Sequence, residues 1–349
     1  MSAPNKPRAK TMKPHRMLPI YEILAQDLKD LGIDAVFGLV SDDTVLFATA
    51  LDMIGVRFHG ARHENSAIAM AEGYAATTGR LGIAIVGRGP ATANGLHGAV
   101  YASRTGSPVL IIYGDAATGG NALNPLGPDY KELNADGVLL AAGLQVFRAT
   151  SATGARAALA DAAAAAWPGN TAALLLPTNV QRSKLEIGND DRPFSVMPTR
   201  PAPEKARPHA IETVAEILKN SAQPLIIAGL GAHMANAGET LEQLGDRIGA
   251  LFATSARGKD MFHDNPYNLG IIGSFSHSAA RRFIEQADCV LVFGAGLNFW
   301  TTSFGTFVPS VPLIQVDTRR SNIGRWCNID FALVGDADLV AKQLLDVLP

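Results

Sequence analysis

Charge is scarce in this chain. Asp, Glu, Lys and Arg make up 18% of its 349 residues and nearly cancel, leaving a formal net charge of −2. Such a balance offers no electrostatic reason to bind nucleic acid or an anionic membrane surface. Cysteine is scarcer still: Cys289 and Cys327 stand apart in no paired spacing. This argues against a disulfide framework and a zinc motif, assigns no metal ligand, and fits a reducing cytoplasm. No uninterrupted apolar run reaches the ~18 residues expected of a spanning helix. Residues 1–16 contain no acid but carry Lys6, Arg8, Lys10, Lys13 and Arg16. Lacking an apolar core, they make no secretory signal and are expected to form a flexible, solvated tail. There is no internal repeat, and the alanine run 162–166 is simply good helix former.

What is present is hydrophobic, at 47% of residues. This length predicts about two domains. Residues 17–182 read as short apolar strands alternating with helices. The strands are expected at 35–39, 56–58, 82–86, 108–113 and 172–176, the helices at about 65–78, 91–104 and 154–166. Asp42 and Asp43 offer N-cap chemistry between the first two strands. Five prolines, Pro193, Pro198, Pro201, Pro203 and Pro208, then mark 183–208 as a linker. A second unit, 209–349, shows strands at 225–228, 289–293, 313–316 and 332–334, a helix at 236–249 and a terminal helix from about Asp336. Buried strands alternating with helices imply an α/β fold. Two parallel-sheet, three-layer domains are expected.

Two segments carry chemistry. Arg62-His63-Glu64-Asn65 sets a carboxylate where a strand ends and a helix begins. Open parallel sheets bind ligands at that edge, although an acid there also complements the helix dipole. Gly87-Arg88-Gly89-Pro90, running on to Asn94, is a second strand-to-helix turn. Its glycines permit close backbone approach to a ligand, and equally make an ordinary turn.

Taken in order, these segments resemble the N-terminal pyrimidine-binding domain of thiamine diphosphate (ThDP) enzymes of the acetolactate synthase, benzoylformate decarboxylase and pyruvate oxidase superfamily. The residues that carry the resemblance are Phe37-Gly38, His63-Glu64, Gly73-Tyr74-Ala75, Gly89-Pro90 with Asn94, and the strand 108–113 ending at Gly114. Residues 209–349 are similar to the Rossmann-like central domain, through Ala256-Arg257-Gly258-Lys259, Ala287-Asp288 and Gly335-Asp336-Ala337. The resemblance implies that Glu64 hydrogen-bonds a pyrimidine ring nitrogen and activates the cofactor. It also implies cofactor contacts from Leu39, Val40, Pro90 and Asn94, with His63, Arg88, His97 and the 115–132 loop within reach of a substrate. The substrate would be a small carbonyl compound, a 2-oxo acid or 2-hydroxy ketone, undergoing decarboxylation, C–C cleavage or carboligation.

The chain also departs from the pattern. The loop after the first strand reads Leu39-Val40-Ser41-Asp42-Asp43 where the family usually has Pro-Gly. A histidine found near Gly87 in benzoylformate decarboxylases is missing. Tyr130-Lys131-Glu132 stands where acetolactate synthases often have Phe-Gln-Glu. No Gly-Asp-Gly with a downstream Asn pair, the family's Mg²⁺ and diphosphate signature, occurs in the sequence. ThDP is therefore expected to be shared with a partner subunit that supplies the diphosphate-binding domain and Mg²⁺, in a heterotetramer or larger assembly. The alternative is a non-catalytic regulatory or scaffolding relative, which would have no reason to keep Glu64.

Gly229-Leu230-Gly231 and Gly294-Ala295-Gly296 follow strands in the second unit, where some relatives bind FAD or ADP. Lone glycine turns carry little weight, and the reading without a nucleotide is favoured. Asp317-Thr318-Arg319-Arg320 reads as a ribose contact or a surface turn. The aromatic loop Asn298–Phe304 is expected to line a cleft or meet a partner.

Overall fold

The strand and helix periods predicted from sequence resolve into two α/β units, Met1–Arg200 and Pro201–Pro349, in a computed structural model. The structure describes residues 16–118, 129–167, 169–187, 202–306 and 310–349. The predicted tail and most of the linker lie outside these residues.

The first unit opens with β1 (Arg16–Pro19) and α1 (Ile20–Asp30). Then follow β2 (Ala35–Gly38), α2 (Val45–Met53), β3 (Arg57–Gly60), α3 (Glu64–Thr78), β4 (Gly82–Val86), α4 (Pro90–Thr105) and β5 (Val109–Asp115). It closes with α5 (Ala135–Ala141), β6 (Gln145–Arg148), α6 (Ala152–Ala166), β7 (Thr171–Pro177), α7 (Thr178–Arg182) and β8 (Lys184–Ile187). Six strands form one sheet in the order β3-β2-β4-β5-β7-β6, every pair parallel. β1 and β8 make a separate antiparallel pair. Arg16 and residues 184–187, assigned by sequence to the tail and linker, thus belong to a small ribbon.

Alternation of side chains explains why the sheet is covered on both faces. In β4, Ile83 and Ile85 join the core beneath α1, α2 and α6. Ala84 and Val86 join the opposite core under α3, α4 and α5. Each fully buried isoleucine contributes roughly 1.5–3 kcal/mol.

The second unit contains α8 (Pro208–Lys219), β9 (Pro224–Ala228), α9 (Leu230–Met234), α10 (Gly238–Ile248), β10 (Leu251–Thr254), β11 (Asn268–Ile271) and α11 (Ser278–Glu285). It ends with β12 (Cys289–Phe293), β13 (Leu313–Asp317), β14 (Phe331–Val334) and α12 (Ala337–Val347). Its six strands are also all parallel, in the order β11-β10-β9-β12-β13-β14. Among the described residues no helix is long and apolar enough to cross a membrane.

One buried ion pair ties helices within the first unit. Arg156 of α6 donates Nε–H (2.8 Å) and Nη2–H (2.7 Å) to the two carboxylate oxygens of Asp27 on α1. Both residues are buried. Removing one partner leaves the other charge desolvated, so Arg156→Ala is expected to lower unfolding free energy by ~3–5 kcal/mol. Urea denaturation measures this; a loss under ~1 kcal/mol would contradict the pair's burial.

Candidate functional site

A parallel sheet brings its strand ends to one edge. In the first unit, Gly38 pairs with Gly60 and Ile85, and Val86 pairs with Tyr113. The carboxyl ends of β2, β3, β4 and β5 therefore face a common crevice, the usual ligand site of an open α/β sheet. α3 begins there with Glu64 as its first residue. His63 caps the helix: its Nδ1 accepts the Asn65 backbone N–H at 3.1 Å. His63 Nδ1 also stands 4.0 Å from Glu64 Oε2. The two side chains also differ in exposure, 54% for His63 and 11% for Glu64.

Asn94 on α4 donates Nδ2–H to Glu64 Oε2 at 3.2 Å. The contact depends on close helix packing. A Cβ at Gly98 would lie 3.0 Å from Asn65 Oδ1, and one at Gly95 would lie 2.9 Å from Ile68 Cδ1. Small residues at these points let α4 settle against α3. Glu64 and Asn94, both expected site residues, thus meet directly. His97 meets Asn65 instead, Nδ1 to Oδ1 at 3.2 Å, on the exposed side of the helix pair.

The turn before α4 forms a second wall. Gly89 has φ +64°, and a Cβ there would sit 2.2 Å from the Lys131 carbonyl oxygen. Only glycine fits this approach. Arg88, expected to meet a substrate carboxylate, is engaged bidentately by Asp129 at 2.6 and 3.1 Å. Lys131 pairs with Asp42. Hydrogen bonds from Arg88 and Lys131 hold Asp129 and Asp42 below the ordinary carboxylate value of 3.8. Asp42 and Asp43 do not cap α2; Thr44 occupies the N-cap position without a side-chain bond. Both acids are recruited by groups distant in sequence, which a local capping rule does not see. Leu39 is half-buried, while Val40 and Pro90 expose apolar surface at these strand ends. Part of the expected substrate loop, 119–128, lies outside the described residues.

In the second unit the two glycine turns pack on each other. Gly231 N–H donates to the Gly294 carbonyl at 3.0 Å. A Cβ at Gly229 would lie 2.4 Å from that same oxygen, and one at Gly294 would lie 2.4 Å from Ala232 N. Backbone contact within the unit accounts for these glycines without a nucleotide. Asp317 Oδ1 accepts Arg319 N–H and Asn322 Nδ2–H, which makes its segment a closed turn. Asp336 caps α12. Among the described residues, no three His, Cys, Asp or Glu side chains gather to hold a metal ion.

Two domain models bear on this geometry. The thiamine pyrophosphate enzyme N-terminal TPP binding domain matches residues 19–138, and the thiamine pyrophosphate enzyme central domain matches 211–344. The chain belongs to the thiamine pyrophosphate enzyme superfamily. It is 26% identical to human 2-hydroxyacyl-CoA lyase 1, over 94% of this chain and 55% of the relative. It is 25% identical to acetolactate synthase of Mycobacterium bovis, over 100% and 59%. To sulfoacetaldehyde acetyltransferase of Alcaligenes xylosoxydans xylosoxydans it is 27% identical, over 95% and 54%. The chain therefore spans little more than half the length of these relatives. The X-ray structure of a Mycobacterium smegmatis protein assigned to the thiamin diphosphate-dependent enzymes shares the fold, with a TM-score of 0.76 at 19% identity, over 95% of this chain and 63% of that one.

The first unit's residues fit the cofactor's aminopyrimidine. A buried carboxylate suits a ring nitrogen, and exposed Val40 and Pro90 offer apolar surface at the same edge.

Gly89→Ala should strain the turn and push away the Lys131 carbonyl. A loss of at least ~1–3 kcal/mol in unfolding free energy, with faster amide exchange at 129–132, is expected; unchanged exchange there would refute the contact. The Arg88–Asp129 and Lys131–Asp42 pairs should also persist from neutral pH down to about 3.8, the acids' ordinary value. Because their folded values are depressed, this stabilisation is present above that value and is lost as pH falls through the folded values. Carboxylate NMR titration checks it; midpoints above 3.8 would contradict the pairing.

Proposed function

We propose that this chain is the pyrimidine-binding subunit of a heteromeric ThDP-dependent lyase, decarboxylase or carboligase. Its substrate class is a 2-oxo acid or 2-hydroxy ketone. The observation that carries this reading is Glu64: a buried acid at a parallel-sheet edge, hydrogen-bonded by Asn94. Burying an acid is unfavourable unless its charge or proton is used.

ThDP, when bound, supplies a nucleophilic thiazolium carbon and an electron sink for breaking or making a C–C bond. The chain's own residues prepare the pyrimidine. Glu64 would hold the ring nitrogen through its carboxylate, where it can give or take a proton as general acid–base. Asn94 fixes the carboxylate's orientation from the neighbouring helix. Leu39, Val40 and Pro90 would hold the ring's apolar faces at this edge. His63 and His97 stand at the outer rim.

The diphosphate-binding part and its Mg²⁺ are assigned to a separate subunit, in a heterotetramer or larger assembly. The two matched domains, the N-terminal TPP binding domain and the central domain, supply the pyrimidine side of this arrangement. Two free thiols, Cys289 and Cys327, fit a reducing cytoplasm.

Co-expression with a subunit carrying Gly-Asp-Gly and a downstream Asn should give turnover on a 2-oxo acid that this chain alone lacks. Glu64→Gln should then lower kcat by ~10²-fold or more with assembly intact, within the range of general acid–base catalysis. An active Glu64→Gln complex sinks the assignment.

A further inference from the structure

The loop that replaces the family's usual Pro-Gly pair is shaped by an acid. Asp43 is buried, at 5% exposure, although its neighbour Asp42 is exposed. Its Oδ2 accepts the Arg88 backbone N–H at 2.7 Å, across 45 residues of sequence. Its Oδ1 accepts the Ser41 hydroxyl. Its own carbonyl accepts Gln181 Nε2–H at 2.8 Å, and the same amide nitrogen donates to the Leu176 carbonyl at 2.9 Å.

The surroundings leave room for this carboxylate and little else. A Cβ at Gly114, near the end of β5, would lie 2.4 Å from Asp43 Oδ2. One at Gly87, at the end of β4, would lie 2.7 Å from Ser41 Oγ. Two strand ends have thus given up side chains to admit Asp43 and Ser41. An apolar residue could fill the space, but it would leave the Arg88 N–H without an acceptor. The acid joins the loop carrying Leu39 and Val40 to the turn carrying Pro90.

We propose that Asp43 is a positioning residue for the pyrimidine site, locking the β2 loop to the β4–α4 turn so that both walls of the crevice hold one spacing. This rests on the reading of the crevice as the pyrimidine site. It gives the Leu39–Asp43 loop a fixed shape with neither proline nor glycine in it.

The test uses the full chain and the cofactor's pyrimidine half alone, 4-amino-5-hydroxymethyl-2-methylpyrimidine. Binding is followed by ligand-observed NMR, and loop order by amide exchange. Asp43→Ala is expected to weaken pyrimidine binding about tenfold and to speed exchange at Arg88, Leu39 and Val40, as loss of a buried acceptor implies. Asp43→Asn, whose amide oxygen still accepts from Arg88, should stay within about threefold of wild type. Ser41→Ala is the milder variant should Asp43→Ala fail to fold; about threefold weakening is expected. Arg156→Ala serves as the control for stability alone and should leave pyrimidine affinity unchanged. Equal weakening by Arg156→Ala would reduce Asp43 to a structural role and overturn the proposal. Unchanged affinity in Asp43→Ala or Ser41→Ala, with wild type binding, overturns it and leaves the reading of the site standing. A wild-type chain that ignores the pyrimidine overturns both.

Discussion

The close approach of α3 and α4 sets the rest of the site. Glu64 begins one helix and Asn94 lies one turn into the other, so their hydrogen bond exists only at the separation that Gly95 and Gly98 permit. A larger residue at either point would force the helices apart and leave the carboxylate with neither its amide partner nor full solvent. The sheet beneath fixes the remaining coordinate. Because β2, β3 and β4 are parallel and in register, their ends stop together, and the two helices start from the same edge. A buried acid at the sheet edge thus emerges from packing rules that involve no chemistry.

The opposite wall rests on polar contacts. Asp43, Arg88, Asp129, Lys131 and Asp42 form a chain of hydrogen bonds and ion pairs from the β2 loop, through the turn before α4, to the segment at 129–132. The exposed pairs contribute little to stability individually. Their combined effect is geometric, fixing which backbone segments border the crevice. Arg88 illustrates the distinction: expected within reach of a substrate, it is bound by Asp129 and helps shape the wall.

Much of this was legible in the sequence. Fully apolar strands such as 82–86 and 289–293 declare buried parallel strands, and the structure places them at those residues. Glu64 and Asn94 stand out only through the family resemblance, because each strand-to-helix turn by itself reads equally as an ordinary helix start. The short elements were not legible: α5, β6, β10 and β11 have too few residues to display a period, and α8 hid behind the proline-rich stretch. Asp43 was misread for a different reason. Two acids after a strand look like a helix cap, and the competing donors, Arg88 N–H and Gln181, lie 45 and 138 residues away. The central-domain glycines resembled a phosphate turn because close backbone packing and phosphate binding call for the same residue. Contact between Gly229, Gly231 and Gly294 shows the packing cause at work here.

The central claim is that the Glu64 carboxylate, held by Asn94, meets the cofactor's pyrimidine. A crystal structure of the assembled enzyme with ThDP and Mg²⁺ tests it most directly. The account predicts a pyrimidine ring nitrogen within hydrogen-bond distance of a Glu64 carboxylate oxygen, ~2.6–3.2 Å, with the ring between Val40 and Pro90. A pyrimidine bound elsewhere, or Glu64 turned away from it, would contradict the account.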